Sequence, residues 1–229
     1  MDPVDFRLMN AVDEGDVPVF GLPFQAIGLK KCLQEARNHP NYQVALQENQ
    51  GRGVAAAFWI NAGMQSSATI NVAADGSLHV LTGNPDIGGS RASMALLAAE
   101  VLGIPVETVH PSVVDTDSIG YCDTTGGSRT TLATGGAVIQ AAEMLLAELC
   151  KRAAAIWNVS IEDVEWSDGK ATARTGADLE NLMEGTAAAA SAPKVLTLAQ
   201  LAAMAGATGG PLCAVASLHS HSAQPSFAV

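Results

Sequence analysis

Between Ala68 and Ala155 the hydrophobic period of the chain switches three times, and few folds accommodate such a succession. Ala68-Thr69-Ile70-Asn71-Val72 and Leu78-His79-Val80-Leu81 alternate around Asp75-Gly76, a pattern that predicts a hairpin with a type I′ turn. A helix follows from about Arg91 to Leu102, with Met94, Leu97, Ala98, Val101 and Leu102 on its apolar face and Gly103-Ile104-Pro105 as its stop. Thr108 to Val114 reads as a strand, and Asp115 to Arg129 as a polar, Gly-rich loop. Thr131 to Ala155 is a long helix whose Val138, Ala141, Leu145 and Leu149 share one face. Strands interleaved with helices predict the α/β class: mixed β-sheets flanked by helices, with one compact unit from about Gly51 to Ala155 and appended pieces.

The flanks carry weaker signals. Asp2-Pro3-Val4-Asp5 is a helix start, an Asp cap followed by Pro, with Phe6, Leu8, Met9 and Val12 after it. A second helix is expected over about Gln25 to Asn38, with Ile27, Leu29 and Leu33 inward. Val54 to Ile60 is a continuous apolar run, as a buried strand would be. After Trp157 come a helical turn around Ser160 with Glu162-Asp163, the strand Val164-Glu165-Trp166, the turn Ser167-Asp168-Gly169-Lys170 and a short strand. Thr175 to Ala192 reads as a mobile loop, Leu196 to Leu201 opens a short helix, and Ser226-Phe227-Ala228-Val229 looks like a beginning strand. The expected organisation is an N-terminal helical segment, 1–50, continuing an upstream domain, and an α/β domain, 51–229, truncated at its C-terminal end. No solenoid-type repeat is present.

Charge narrows the partners. Twelve Lys plus Arg stand against 23 Asp plus Glu, a net charge of −11, so no basic stripe exists to grip nucleic acid or an acidic membrane. Apolar runs such as Gly53 to Ile60 fall short of the ~20 residues of a membrane span, and the N-terminus shows no signal-peptide pattern. The four cysteines, Cys32, Cys122, Cys150 and Cys213, form no C-x-x-C and no Cys/His cluster, so neither an iron–sulfur centre nor a zinc site is expected. Reduced thiols and a cytoplasmic location follow.

Two glycine-rich segments each precede a helix: Gly88-Gly89-Ser90-Arg91 and Thr125-Gly126-Gly127-Ser128-Arg129-Thr130. Glycines let backbone N–H groups face a ligand, and a helix N-terminus adds roughly half a positive charge. Ser donates a hydroxyl, and Arg forks onto phosphate oxygens. In an acidic chain, phosphate must be held by such local dipoles and single arginines. The bland reading is a pair of ordinary capped loops. Neither segment fits G-x-G-x-x-G or G-x-x-x-x-G-K-[ST], which excludes Rossmann and P-loop assignments. Asp115-Thr116-Asp117 has too few carboxylates for a calcium loop. Cys122 has no adjacent His or Lys to activate it. His219-Ser220-His221 puts two imidazoles on one strand face without a third ligand, and Trp59, Trp157 and Trp166 read as core and lid packing.

These segments, in this order, resemble the molybdenum-binding large subunit of the xanthine dehydrogenase, aldehyde oxidase and carbon monoxide dehydrogenase family over nearly the whole chain. Asp2-Pro3-Val4-Asp5-Phe6-Arg7-Leu8-Met9-Asn10 resembles the family's D-P-x-x-F-R-L-x-N helix, and Gly51-Arg52-Gly53-Val54-Ala55 its G-x-G-x-A strand. Asp86-Ile87-Gly88-Gly89-Ser90 stands where many members have a G-Q-G turn, and Ala98-Ala99-Glu100-Val101-Leu102-Gly103-Ile104-Pro105 follows as in the family. Asp115-Thr116-Asp117 and Thr125-Gly126-Gly127-Ser128-Arg129-Thr130-Thr131 resemble its D-T-D … T-x-G-S-R-x-T signature.

The resemblance implies part of a hydroxylase that inserts a water-derived oxygen at an aldehyde or N-heterocycle carbon. It implies a molybdopterin cofactor with molybdenum, in the cytosine dinucleotide form of bacterial members, and FAD and [2Fe-2S] clusters only on partner domains or subunits. The partners implied are the remaining part of the large subunit and the iron–sulfur and FAD subunits. The family's glycine turns reach the pterin and its phosphates, which puts Gly88, Gly89, Ser90, Arg91, Thr125, Gly126, Gly127, Ser128 and Arg129 forward as cofactor-binding residues. Gly89 replaces the Gln of G-Q-G, and the family's catalytic Glu, in a G-x-G-E motif near the large subunit's C-terminus, is absent here. No catalytic and no metal-ligating residue is therefore expected, and the chain is not a complete enzyme by itself. The alternatives are a non-catalytic scaffold whose Gly-Gly-Ser loops are purely structural, and a generic anion-binding module.

Overall fold

The alternating hairpin forms the centre of a four-stranded sheet. The computed structural model describes residues 1–19, 21, 23–57, 59–61, 63–174, 194–220 and 226–228. They fall into two units, Met1–Ala62 with His221–Val229, and Gly63–Ser220.

In the first unit, α1 (Pro3–Asn10) starts where the sequence predicts, with the Asp2 carboxylate accepting the Val4 and Asp5 amides at 2.7 and 3.1 Å. The Tyr42 hydroxyl donates to the same carboxylate at 2.7 Å. Helix α2 (Leu29–Asn38) begins later than expected, at Leu29 rather than Gln25, and it buries Leu33. Helix α3 (Pro40–Gln43) follows. The Arg52 guanidinium donates to the carbonyls of Asn41, Tyr42 and Val44 and stacks on the Tyr42 ring. The strand expected over Val54 to Ile60 is corrected. Residues 54–57 are irregular, with Ala55, Ala56 and Ala57 exposed; pairing begins only with β1 (Trp59–Asn61), antiparallel to β9 (Ser226–Ala228). A run of alanines has little area to bury, and a strand without a ladder partner leaves its amides to water.

In the second unit, β2 (Met64–Val72) and β3 (Leu78–Thr82) pair antiparallel, with Val72 opposite Leu78. Their turn is not type I′. Ala73 donates to Ser77 O at 2.8 Å and Gly76 to Ala73 O at 2.9 Å, and left-handed backbone occurs at Gly76 but not at Asp75. This is a three-residue loop closed by a left-handed glycine. A true I′ pattern, positive φ at both central residues, occurs instead at Asp168 and Gly169. Helix α4 (Ser90–Leu102) crosses over to β4 (Val109–Val113), which runs parallel to β3. The order is β4-β3-β2-β8, with β8 (Cys213–Ser220), of which the sequence marks only His219-Ser220 as strand, antiparallel to β2.

Helix α5 (Gly135–Trp157), preceded by a π-helical turn over Thr130–Thr134, lies with α4 on one face of this sheet. Ala68, Ile70, Leu78 and Val80 meet Ala98, Leu102, Ala141, Leu145 and Leu149 there, all fully buried. The Gly135-Gly136 pair is a close-approach device. A Cβ on Gly135 would come 2.7 Å from Leu97 Cδ1, and one on Gly136 2.5 Å from Leu218 Cδ2. The stretch Thr130–Trp157 is long and apolar enough to cross a membrane by length and composition, but half of its most apolar 18 residues are buried inside the protein, as in a core helix.

A second sheet holds β5 (Val164–Ser167), β6 (Lys170–Ala173) and β7 (Val195–Thr197) in that order. Leu196 belongs to this sheet rather than to the helix expected there. Helix α6 (Leu198–Ala203) starts after Thr197, which forms a capping box with Gln200. Thr175 to Ala192, His221 and Val229 lie outside the described residues.

Truncating the centre of this core tests the packing. Leu145→Ala is expected to cost about 2–5 kcal/mol of unfolding free energy, read from urea denaturation.

Candidate functional site

The strand-to-helix connections place the two glycine turns. β3 and β4 are parallel, so their carboxyl ends lie at one end of the sheet. The first turn leaves β3 and opens α4; the second lies on the connection that leaves β4 and opens the π-helical turn and α5. Carboxyl ends of parallel strands are where open α/β sheets bind ligands. Asn84, buried just after β3, ties the two connections together. Its Nδ2 donates to Asp123 O at 3.2 Å and to Thr125 Oγ1 at 3.3 Å, while its Oδ1 accepts the Thr134 hydroxyl at 2.7 Å. Thr134 also meets Ser66 Oγ at 2.8 Å. Asn84 was not singled out in the sequence; a polar side chain between an apolar strand and a glycine turn is the signal that points to it.

In the first turn, Gly88 and Gly89 are left-handed (φ 61° and 85°) and exposed. Ser90 is buried, and its hydroxyl accepts the Ile87 amide at 3.0 Å. The Asp86 carboxylate closes the helix terminus. It accepts the Arg91 amide at 3.0 Å, the Ser90 hydroxyl at 3.2 Å and Arg91 Nε at 2.9 Å. These bonds, that to the Arg91 amide foremost, hold the Asp86 carboxyl below the usual carboxylate range.

In the second turn, Gly127 and Ser128 are left-handed (φ 59° and 54°) and Arg129 is already helical. A left-handed residue followed by a right-handed one turns successive N–H groups to one side as an anion nest. Both turns end this way, at Gly89-Ser90 and at Ser128-Arg129. The two Gly-Gly-Ser-Arg copies are nevertheless one residue out of step. The left-handed pair is Gly-Gly in the first and Gly-Ser in the second. Gly126 and Ser128 are exposed, Gly127 and Thr125 half-buried, and the amides of Gly126, Gly127 and Ser128 bond to no group among the described residues.

Arg129 departs most from expectation. Its side chain is fully buried and points into the protein. Nε donates to Gly63 O at 2.9 Å and Nη1 to Asp123 O at 2.8 Å, while Nη2 donates to Gln65 O and to Ser66 Oγ, the latter at 2.6 Å. The expected fork onto phosphate is thus corrected. This guanidinium pins the Asp115–Arg129 loop to the start of β2. Asp123 adds to the clamp by accepting the Gln65 amide at 2.8 Å and the Tyr121 hydroxyl at 2.9 Å. Its carboxyl is held below the usual range by the Gln65 amide first, then by Tyr121 and the Arg129 charge. Arg91, the other turn arginine, is exposed and ion-paired with Asp86.

The minor candidates are engaged locally. Asp115 accepts the Asp117 amide at 2.9 Å as an Asx turn, and Cys122 Sγ lies 3.4 Å from the Ser67 amide. Among the described residues no three His, Cys, Asp or Glu side chains group as a metal site. A cleft of about 440 Å³ opens near Ser77, Thr108, His110, Lys170 and Thr197, beside the amino ends of β3 and β4, and none of the nine turn residues lines it.

A family model described as a molybdopterin cofactor-binding domain matches residues 28–227. The aldehyde oxidoreductase molybdenum-binding subunit of Escherichia coli is 32% identical over 199 residues, 82% of this chain and 26% of that one. Xanthine dehydrogenase of Drosophila pseudoobscura pseudoobscura is 30% identical over 161 residues, 63% of this chain and 12% of that one. The chain thus spans about a quarter or less of the length of these relatives. Quinoline 2-oxidoreductase from Pseudomonas putida 86 shares the fold with a TM-score of 0.71 at 18% identity, over 99% of this chain and 31% of that one. CO dehydrogenase from Oligotropha carboxidovorans does so with 0.68 at 21%, over the same shares.

Two measurements check the clamp. Arg129→Met removes one donor from each of three carbonyls and a hydroxyl and is expected to cost about 3 kcal/mol, against less than about 1 kcal/mol for Arg91→Met, by denaturant unfolding. Asp123 has a folded pKa below its unfolded value of about 3.9, so its contribution is present above that value and lost as pH falls through the folded one. Asp123→Asn is therefore expected to flatten the acid limb of the unfolding midpoint plotted against pH.

Proposed function

Because the chain belongs to the molybdopterin cofactor-binding domain family, we propose that it forms part of the cofactor cradle of a molybdenum hydroxylase large subunit. Gly88, Gly89, Ser90, Arg91, Thr125, Gly126, Gly127, Ser128 and Arg129 build the two turns of that cradle. The observation that carries the reading is the set of amides at Gly126, Gly127 and Ser128 that bond to no group among the described residues, just before the π-helical turn that leads into α5. The donor set fits the group. A diphosphate-bearing pterin offers anionic oxygens, which backbone nests and helix termini accept. The Asp86 carboxylate is a stand-in anion already seated at the companion turn. A Cβ on Gly126 would meet nothing within 4 Å among the described residues, which leaves this face of the turn open to a ligand.

Each residue has a separate task. The amides of the second turn bind and orient the cofactor's phosphates. Arg129 and Asp123 hold that loop in shape from below, and Asn84 keeps the two turns at their spacing. When bound, the molybdenum cofactor supplies the two-electron chemistry by which a water-derived oxygen enters an aldehyde or N-heterocycle carbon. We assign no catalytic group to this chain; the remaining part of the large subunit supplies it. The cofactor is proposed to be the cytosine dinucleotide form, with FAD and [2Fe-2S] on partner domains or subunits, in the cytoplasm.

The scaffold alternative draws on the fact that Arg129 and Asp86 are satisfied internally. Metal content separates the two readings. The chain is co-expressed with its neighbouring reading frames, the assembly purified, and molybdenum and released cytosine nucleotide measured. Both are expected in stoichiometric amount; an intact assembly without metal ends the cofactor reading. Gly126→Val, placed in open space, is expected to leave the unfolding midpoint unchanged and to lower molybdenum retention at least about tenfold, a loss of about 1.4 kcal/mol of binding.

A further inference from the structure

The four-stranded sheet has two edges, and only one of them is blunted against a further strand. We propose that the free edge of β8 is a self-association surface, on which a second copy of this chain adds its own β8 antiparallel about Val215 and joins two four-stranded sheets into one.

The phase of the ladder places the free groups. Val72 donates to Leu212 O at 3.0 Å, so the even-numbered residues of β8 turn their peptide groups to β2 and the odd-numbered ones turn theirs outward. Among the described residues, the amides and carbonyls of Cys213, Val215 and Ser217 bond to no group. Their side chains are exposed, Val215 by 53%, while Ala214 and Ala216 between them are buried in the core. The register with β2 runs from Asn71 to Met64 without a bulge. The opposite edge differs. β4 carries Pro111, which has no amide to give an added strand, and β5 at the edge of the second sheet carries the charged Glu165. β8 has neither device.

Charge selects the partner. Every Lys, Arg, Asp and Glu of the chain lies before Val195, so β8 and its flanks are neutral in a molecule of net charge −11. The β2 residues that share the outer face, Ser67, Thr69 and Asn71, are uncharged as well and stand opposite Ser217, Val215 and Cys213. Copies of so acidic a chain repel one another, and this edge is where that repulsion acts least. The three free residues are also self-complementary. In an antiparallel pair centred on Val215, Cys213 faces the partner's Ser217, Ser217 faces the partner's Cys213, and Val215 faces its own copy as a β-branched pair. Each pair exchanges both of its hydrogen bonds, so every free amide and carbonyl of the three residues finds its match.

Sedimentation equilibrium on the 229-residue chain tests this. A concentration-dependent dimer is expected, and a strict monomer up to about 1 mM overturns the proposal. Val215→Lys sets a charge opposite itself, and Ser217→Pro removes one outward amide while leaving the ladder to β2 intact. Each is expected to weaken dimerisation at least about tenfold with the urea unfolding midpoint unchanged. A dimer indifferent to both overturns the role given to the edge. A second measurement does not depend on these variants. Ser217→Cys puts a thiol opposite the partner's Cys213, in a pair whose Cα atoms lie about 5.5 Å apart, within disulfide reach. Mild oxidation is expected to give a covalent dimer that is lost when Cys213→Ser is added; a covalent dimer that persists overturns the register. An assembly with the neighbouring reading frames that holds one copy of this chain, with the Val215 and Ser217 amides protected from hydrogen exchange, shows a foreign strand on the edge and overturns the proposal too.

Discussion

The Arg129 guanidinium is the point on which the carboxyl end of the sheet depends. A fully buried cation is costly unless its N–H groups find acceptors, and here they find the carbonyls of Gly63, Gln65 and Asp123 and the Ser66 hydroxyl. Those acceptors come from the start of β2 and from the long loop before α5, segments more than fifty residues apart in the chain. One side chain thus welds the loop to the sheet. The left-handed Gly127-Ser128 backbone, which a Ser adopts reluctantly, persists because the surrounding structure over-determines it.

Rigidity of this kind suits a binding turn. Amides that already point outward lose no conformational freedom when a ligand arrives, so the interaction is not offset by ordering the loop. The Gly135-Gly136 pair lets the start of α5 lie against Leu97 and Leu218, where an added Cβ would have to displace a leucine methyl. The chain belongs to the molybdopterin cofactor-binding domain family. The relatives extend well beyond the stretch that this chain matches.

Much of the fold was legible in local patterns. The β2–β3 hairpin, α4 with its Gly103 stop and the long α5 followed from periodicity, because each buries a face whose spacing matches its own geometry. What failed did so for identifiable reasons. Val54 to Ile60 was apolar enough for a strand but has no ladder partner before Trp59. The Asp75-Gly76 pair has the composition of a type I′ turn, yet only Gly76 takes positive φ, and β3 starts after a three-residue loop. The part of β8 before His219 carries no clear signal because its inward residues, Ala214 and Ala216, are small and contrast little with their neighbours.

The candidate site divides along the same line. Glycines before helices announce themselves, since local backbone freedom and helix dipoles are properties of a few consecutive residues. Sequence alone therefore identified the α/β class, the two turns and the family they resemble. Only tertiary structure decided what the charged side chains do. Two copies of Gly-Gly-Ser-Arg look equivalent as strings, but Arg129 turns inward to carbonyls brought from β2 while Arg91 stays outside with Asp86. The fate of a charge is set by which distant polar groups the packed chain places within hydrogen-bonding reach, and that is information no local stretch of residues contains.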